Sequence, residues 1–118
     1  MKKIGVVGSR RRDLASDMFL VEEVVKDFYE EGDVIVSGGC QRGADHFAEL
    51  VARDLGCTII IHHANWKDYG KSAGHIRNQK IAEDSDILIA MVSPDRTGGT
   101  ESTIKKYLAL GKTELVLI

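Results

Sequence analysis

Ser37-Gly38-Gly39-Cys40-Gln41-Arg42-Gly43-Ala44-Asp45 and Thr97-Gly98-Gly99-Thr100-Glu101 are the two stretches of this 118-residue chain best suited to holding phosphate. Without Cβ atoms their backbone N–H groups can approach the oxygens, and a helix starting at the end of each turn adds the positive end of its dipole. Gly99 in particular is expected at positive φ, close to a ligand. Arg42 and Asp45 flank the first turn, where Asp45 reads either as a dipole partner or as a ribose ligand. A third turn, Gly8-Ser9-Arg10, places cations at another helix entrance, and Arg10 to Arg12 read as a solvated loop with one arginine turned to a ligand.

Between Ala64 and Asn78 the chain is polar and aromatic. A long loop of that composition is a functional signal in a compact domain, because ordering it adds little core. Trp66 and Tyr69 are suited to stacking a base or covering a cleft, with a peripheral core position as the alternative for Trp66. Arg77 can form a fork with phosphate, and Asn78 can bond a ligand or pin a glycine loop. His62 and His63 adjoin at a strand end and should face opposite ways, a poor metal pair. Cys40 and Cys57 lack C-x-x-C spacing and read as free thiols. No metal or cofactor is expected.

The elements that must position these residues alternate along the chain. Strand-like runs cover Lys3 to Gly8, Asp33 to Ser37, Thr58 to His62, Asp86 to Ser93 and Thr113 to Ile118. Helical patterns cover Asp13 to Glu31, Gly43 to Leu55, Ala73 to Asp84 and Thr100 to Leu110. Leu14, Met18, Val21, Val25 and Phe28 recur at steps of four and three, as do Ala44, Phe47, Val51 and Leu55, marking core faces. Gly32, Gly56 and Gly111 stand where terminating glycines end three helices. Right-handed crossovers then give an α/β, Rossmann-like, three-layer doubly wound parallel sheet of strand order 3-2-1-4-5. Ligands of such sheets bind beyond the carboxyl ends of the strands where the order reverses, here the first and fourth, and all three turns converge there. Only Gly5 and Gly8 punctuate the first strand, so the dinucleotide pattern G-x-G-x-x-G is absent.

Size and charge bound the partners. The chain is 43% hydrophobic, enough for one domain over residues 1–118 with a core of its own. Its net charge of −2 argues against a uniform grip on nucleic acid. The apolar stretch after Met1-Lys2-Lys3 ends at Val7, so we expect neither export nor a membrane span and place the protein in the cytoplasm.

Taken together, Ser37-Gly38-Gly39 with Arg42-Gly43-Ala44-Asp45, Trp66-Lys67-Asp68-Tyr69-Gly70-Lys71-Ser72-Ala73-Gly74 running into Arg77-Asn78, Ser85-Asp86 before a strand, and Gly98-Gly99-Thr100 resemble the YspA-like (YpsA-related) SLOG family. That family belongs to the superfamily shared by the DNA-processing protein DprA and the LOG phosphoribohydrolases. The resemblance spans nearly the whole chain and implies a Rossmann-like domain that binds nucleotides or nucleotide-derived ligands, often as a homodimer. It implies phosphate on Gly98, Gly99 and Thr100 with Arg77 beside it, sugar and base along Gly8, Ser9, Gly38 and Gly39, and Asn78 orienting the loops.

Members of the LOG branch, similar to this chain at Arg77, Ser85-Asp86 and Gly99-Thr100, release a base from a nucleoside monophosphate using a glutamate three residues after that threonine. Here that position is Thr103. Threonine cannot stabilise oxocarbenium-like charge or activate water, and Glu101 would project about 200° around the helix from position 103. Nucleotide binding, as a sensor or in nucleotide processing, is therefore the first expectation. N-glycosidic cleavage through Glu101 and DprA-like single-stranded nucleic-acid binding through Arg10 to Arg12 are its rivals.

Overall fold

A computed structural model describes residues 1–118. Five strands, β1 (Lys3–Gly8), β2 (Val34–Ser37), β3 (Ile59–Ile61), β4 (Ile87–Met91) and β5 (Leu115–Leu117), form one parallel sheet in the order β3-β2-β1-β4-β5. The helices are α1 (Ala15–Phe28), α2 (Ala44–Leu55), α3 (Trp66–Tyr69), α4 (Ala73–Asp84) and α5 (Gly99–Ala109), with a 3-10 turn at Gly70–Ser72. The expected strand order is therefore the one observed. No helix is long and apolar enough to cross a membrane.

Near-continuous apolar runs such as Ile87–Met91 suit strands covered on both faces, and alternate residues feed two cores. Ile4, Val6, Ile35, Ile87, Ile89 and Met91 pack under α1 and α2, against Val21, Val25, Phe47 and Val51. Val7, Val36, Leu88 and Ala90 pack on the other face with Ile81 and Ala82 of α4 and Ile104 and Tyr107 of α5. Tyr107 is fully buried, and its hydroxyl lies 3.0 and 2.9 Å from the Asp86 and Glu114 carbonyl oxygens. Lys112 Nζ donates to the carbonyls of Ala82, Glu83 and Ser85 at 3.0, 2.7 and 2.8 Å, placing a cation on the negative end of α4.

Where element ends differ from the sequence pattern, side chains distant in sequence decide them. α1 begins at Ala15 rather than Asp13, because the Asp13 carboxylate turns away to accept the Gly43 N–H at 2.8 Å. Leu14 consequently precedes the first turn and is 69% exposed instead of joining the core. At the other end α1 stops at Phe28, and Glu30 N–H bonds the Asp33 carboxylate at 2.9 Å. Gly32, at φ 93°, thus belongs to the following turn and is not the terminating glycine of α1, whereas Gly56 caps α2 in the left-handed region at φ 66°. β3, β4 and β5 are each shorter than their apolar runs. Flanking amides still bond the neighbouring strand, as from His62 to Ser37 and from Val92 to Ile118.

Asp33 ties the amino terminus to this frame. Its carboxylate accepts from Lys2 N–H at 2.8 Å, from Lys2 Nζ and from Glu30 N–H, and only 4% of the residue is exposed. Burial alone would raise its pKa, but these three donors overcome that effect and hold the carboxyl at about 2, below the usual 3.8. The lowered value means that this stabilisation is complete above pH 3.8 and is lost as pH falls through about 2. Urea unfolding across that window should show a falling midpoint in the native chain. Asp33→Asn should be less stable by about 1–3 kcal/mol at neutral pH and show a flatter acid limb.

Candidate functional site

The chain leaves β1 for α1 on one face of the sheet and leaves β4 for α5 on the other, which opens a crevice beyond the carboxyl ends of these two central strands. This cleft has a volume of about 950 Å³. The first two glycine turns reach it through Gly8 to Arg11 and Gly38 to Cys40, and the third through Thr97 to Thr100. Close packing explains the glycines beneath it. A Cβ on Gly8 would sit 2.6 Å from Ala44 Cβ, at the start of α2.

Arg77 and Asn78, in the first turns of α4, cross the cleft and join two of its loops. Arg77 Nη1 donates to Gly38 O at 2.8 Å, Arg77 Nε donates to Asn78 Oδ1 at 2.9 Å, and Asn78 Nδ2 reaches Gly99 O at 3.4 Å. Asn78 therefore pins a glycine loop, one of its two expected roles. Arg77 is not a free fork awaiting phosphate, since part of it already holds the β2 loop. Asp45 lies beside it, with Oδ2 accepting Cys40 N–H at 3.1 Å. Burial raises the Asp45 pKa, against the opposing effects of that N–H and of the Arg77 charge.

At the opposite wall α5 opens onto the cleft with Gly98 at φ 99° and no side-chain cap, so its first amides are available to a ligand. Positive φ falls on Gly98 rather than on Gly99, which is already the first residue of α5 and where a Cβ would meet Asn78 Nδ2 at an ordinary 3.8 Å. Thr103 lines the cleft and commits its hydroxyl to Gly99 O at 3.2 Å. Glu101 does not line it. Both Glu101 oxygens are held by Arg96, at 2.9 Å each, so the expected catalytic carboxylate is turned aside into an ion pair.

The three arginines after β1 separate in the same manner. Arg12 is absorbed into structure through Asp17 and the carbonyls of Val92 and Ile118. Arg11 forms a fork with Asp95 at 3.0 and 2.7 Å, and with Ser93 and Thr97 it holds the Asp95 carboxyl well below the usual carboxylate range. Of the three, only Arg10 lines the cleft without a side-chain partner.

Gly43 and Arg42 lie outside the lining residues. Gly43 is required by packing, because at φ 69° a Cβ there would meet Ser9 O at 2.7 Å. Trp66 is no peripheral core residue. It is 60% exposed, lines the cleft and approaches Gly74, where a Cβ would lie 3.5 Å from its ring. It sits in α3, so the expected loop is partly helical, started by Asn65, whose Oδ1 accepts Asp68 N–H at 3.2 Å. His62 and His63 do diverge. His62 pairs with Asp84, and His63 enters the cleft beside Gly39.

Lys71, His63 and His75 also line the cleft, yet sequence reasoning gave them no ligand role. For Lys71 and His75 the signal was position within the polar 64–78 segment. Across the whole lining, Arg10, Arg11, Lys71 and Arg77 face a single carboxylate, Asp45. A molecule of net charge −2 thus concentrates positive charge where three backbone turns converge.

Among solved structures, this chain is similar to the X-ray structure of TM1055, a structural-genomics target. The TM-score is 0.66 at 19% identity, covering 95% of this chain and 71% of that one. The likeness shows the fold: Rossmann-like α/β. No protein-family model matches the chain, and no curated protein does.

Because Arg77 already bonds Gly38 O, its removal should be felt without any ligand. We expect Arg77→Ala to destabilise the protein by about 1.5–3 kcal/mol in urea unfolding, with Arg77→Lys recovering only part of this, since an ammonium cannot serve Gly38 and Asn78 together.

Proposed function

We propose that this chain is a nucleotide- or nucleotide-derivative-binding domain of the SLOG type, acting as a sensor or in nucleotide processing. The observation that carries the reading is the cleft itself, where Arg10 and Lys71 stand without a carboxylate partner and Arg77 lies beside the single lining carboxylate, Asp45, at the switch point of a doubly wound sheet. Phosphate rests on the uncapped amides of α5 around Gly98, Gly99 and Thr100, with Arg10 and Lys71 supplying mobile charge from either side. Arg77 contributes field and orientation while keeping its bond to the β2 loop.

Two features separate this reading from its rivals. Base release of the LOG kind uses a glutamate on the last helix, whereas on α5 Thr103 faces the cleft and Glu101 is bound to Arg96. Nucleic-acid binding through the arginine run requires several free guanidiniums, whereas Arg11 and Arg12 are occupied by Asp95 and Asp17.

Thermal melts with a panel of nucleoside mono- and diphosphates provide the test. At least one should raise the melting temperature, and the double variant Arg10→Ala/Lys71→Ala should weaken it at least tenfold while melting normally when unliganded. Equal affinity in that variant, or no shift across the panel, would reject the assignment. In product chromatography, nucleoside monophosphates should yield no free base above the level given by Glu101→Gln.

A further inference from the structure

The cleft is elongated and chemically graded. It runs from His63 and Trp66, which follow β3, past Gly38 and Asp45 after β2 and Gly8 to Arg10 after β1, to Thr97 and Gly98 after β4. Those four strands are neighbours, so at about 4.8 Å per step the site extends over roughly 14 Å. Its two ends differ. The β4 end presents uncapped helix amides and hydroxyls, while the β3 end presents an indole that is 60% exposed and lies over Gly74.

Between the ends stands the only carboxylate of the lining. Asp45 and Arg77 both crowd Gly38, where a Cβ would meet Arg77 Nη1 at 2.8 Å and Asp45 Oδ2 at 2.9 Å. Asp45 Oδ2 accepts the Cys40 N–H and the Gly38 N–H lies close to the same carboxylate, while no side chain donates to it. A carboxylate so placed repels phosphate from the middle of the cleft and accepts hydrogen bonds from neutral donors there. A vicinal diol supplies two such donors.

Resting on the nucleotide reading, we infer a direction and a sugar preference for the ligand: Trp66 stacks on its base, Asp45 accepts from the ribose hydroxyls, and its phosphate lies on the first turn of α5. The ligand class is thus a ribonucleoside phosphate with a free 2′,3′-diol. An exposed indole gains most from a planar, π-rich partner, which explains an apolar ring kept in water at the mouth of a polar cleft. Asp45 makes the sugar a point of selection, because a 2′-deoxy ligand leaves its carboxylate with one donor fewer in a partly desolvated place.

Trp66 is the single tryptophan, so its emission reports on the base end alone. The probes are AMP and GMP, 2′-deoxy-AMP, and ribose 5-phosphate, each followed by tryptophan fluorescence and by melting temperature on the unaltered protein. AMP or GMP should quench Trp66 and raise the melt. Ribose 5-phosphate should raise the melt without quenching, and 2′-deoxy-AMP should bind about tenfold more weakly than AMP. That discrimination should collapse in Asp45→Asn, which keeps an oxygen for the Cys40 N–H. A raised melt with no quenching, or equal binding of AMP and 2′-deoxy-AMP, overturns the inferred direction or sugar preference and leaves the nucleotide reading standing. No change in the melt with any probe overturns both.

Discussion

Everything at the cleft depends on β1 being paired on both sides, with β2 through Lys3 to Gly5 and with β4 through Ile4 to Gly8. A strand so placed must be narrow where helices cross it. Gly5 leaves room for Ser85 at the end of α4, and Gly8 leaves room for Ala44 at the start of α2. With those approaches satisfied, the connections after β1 and β4 have no choice but to leave on opposite faces, and the crevice between them follows from topology alone. The site is thus a consequence of strand order before any side chain enters it.

Side chains then decide its charge. The chain has nearly balanced acids and bases, and most of the cations near the cleft are answered: Arg12 by Asp17, Arg11 by Asp95, Arg96 by Glu101. Arg11–Asp95 fastens the β4–α5 loop to the β1–α1 loop, and being exposed it adds little energy, while the other two pairs each act within one connection. What remains uncompensated is a small set, Arg10 and Lys71 together with the field of Arg77, all on the lining. Selective neutralisation has concentrated the net charge of the cleft without making the protein basic.

This division explains what could be read from the chain beforehand. Apolar alternation, turn glycines and crossover handedness are local or nearly local signals, and they sufficed for five strands in the right order and for the convergence of Gly8, Gly38 and Gly98. Several departures involve partners far apart in sequence. Nothing near Asp13 announces a bond to Gly43, thirty residues away, and nothing near Arg11 announces Asp95. Gly43 illustrates the difficulty: a glycine in a phosphate-like motif turned out to be demanded by Ser9 O beneath it, a packing need that imitates a ligand signature. Trp66 was ambiguous in the other direction, since a large apolar ring reads as core or as a stacking platform until the helix that carries it is known to stand outside the sheet.

The same long-range pairing bears on whether the cleft is built to bind or to react. Glycosidic cleavage depends on a carboxylate held at the sugar in water-poor surroundings, where its charge is felt most strongly. On α5 the residue that faces the cleft, Thr103, turns its hydroxyl back to Gly99 O, and the acidic residue two positions earlier is drawn to Arg96. Arg96 sits at φ 53°, a left-handed conformation uncommon for a residue with a side chain, and its fork to Glu101 helps to hold the turn that presents Gly98. Glu101 therefore braces the loop that frames the cleft and does not face into it. The one carboxyl group on the cleft lining, Asp45, has its pKa raised by burial, against the opposing effects of the Cys40 N–H and the Arg77 charge. On the nucleotide proposal, the oxygens of that group serve as acceptors for hydroxyl hydrogen bonds.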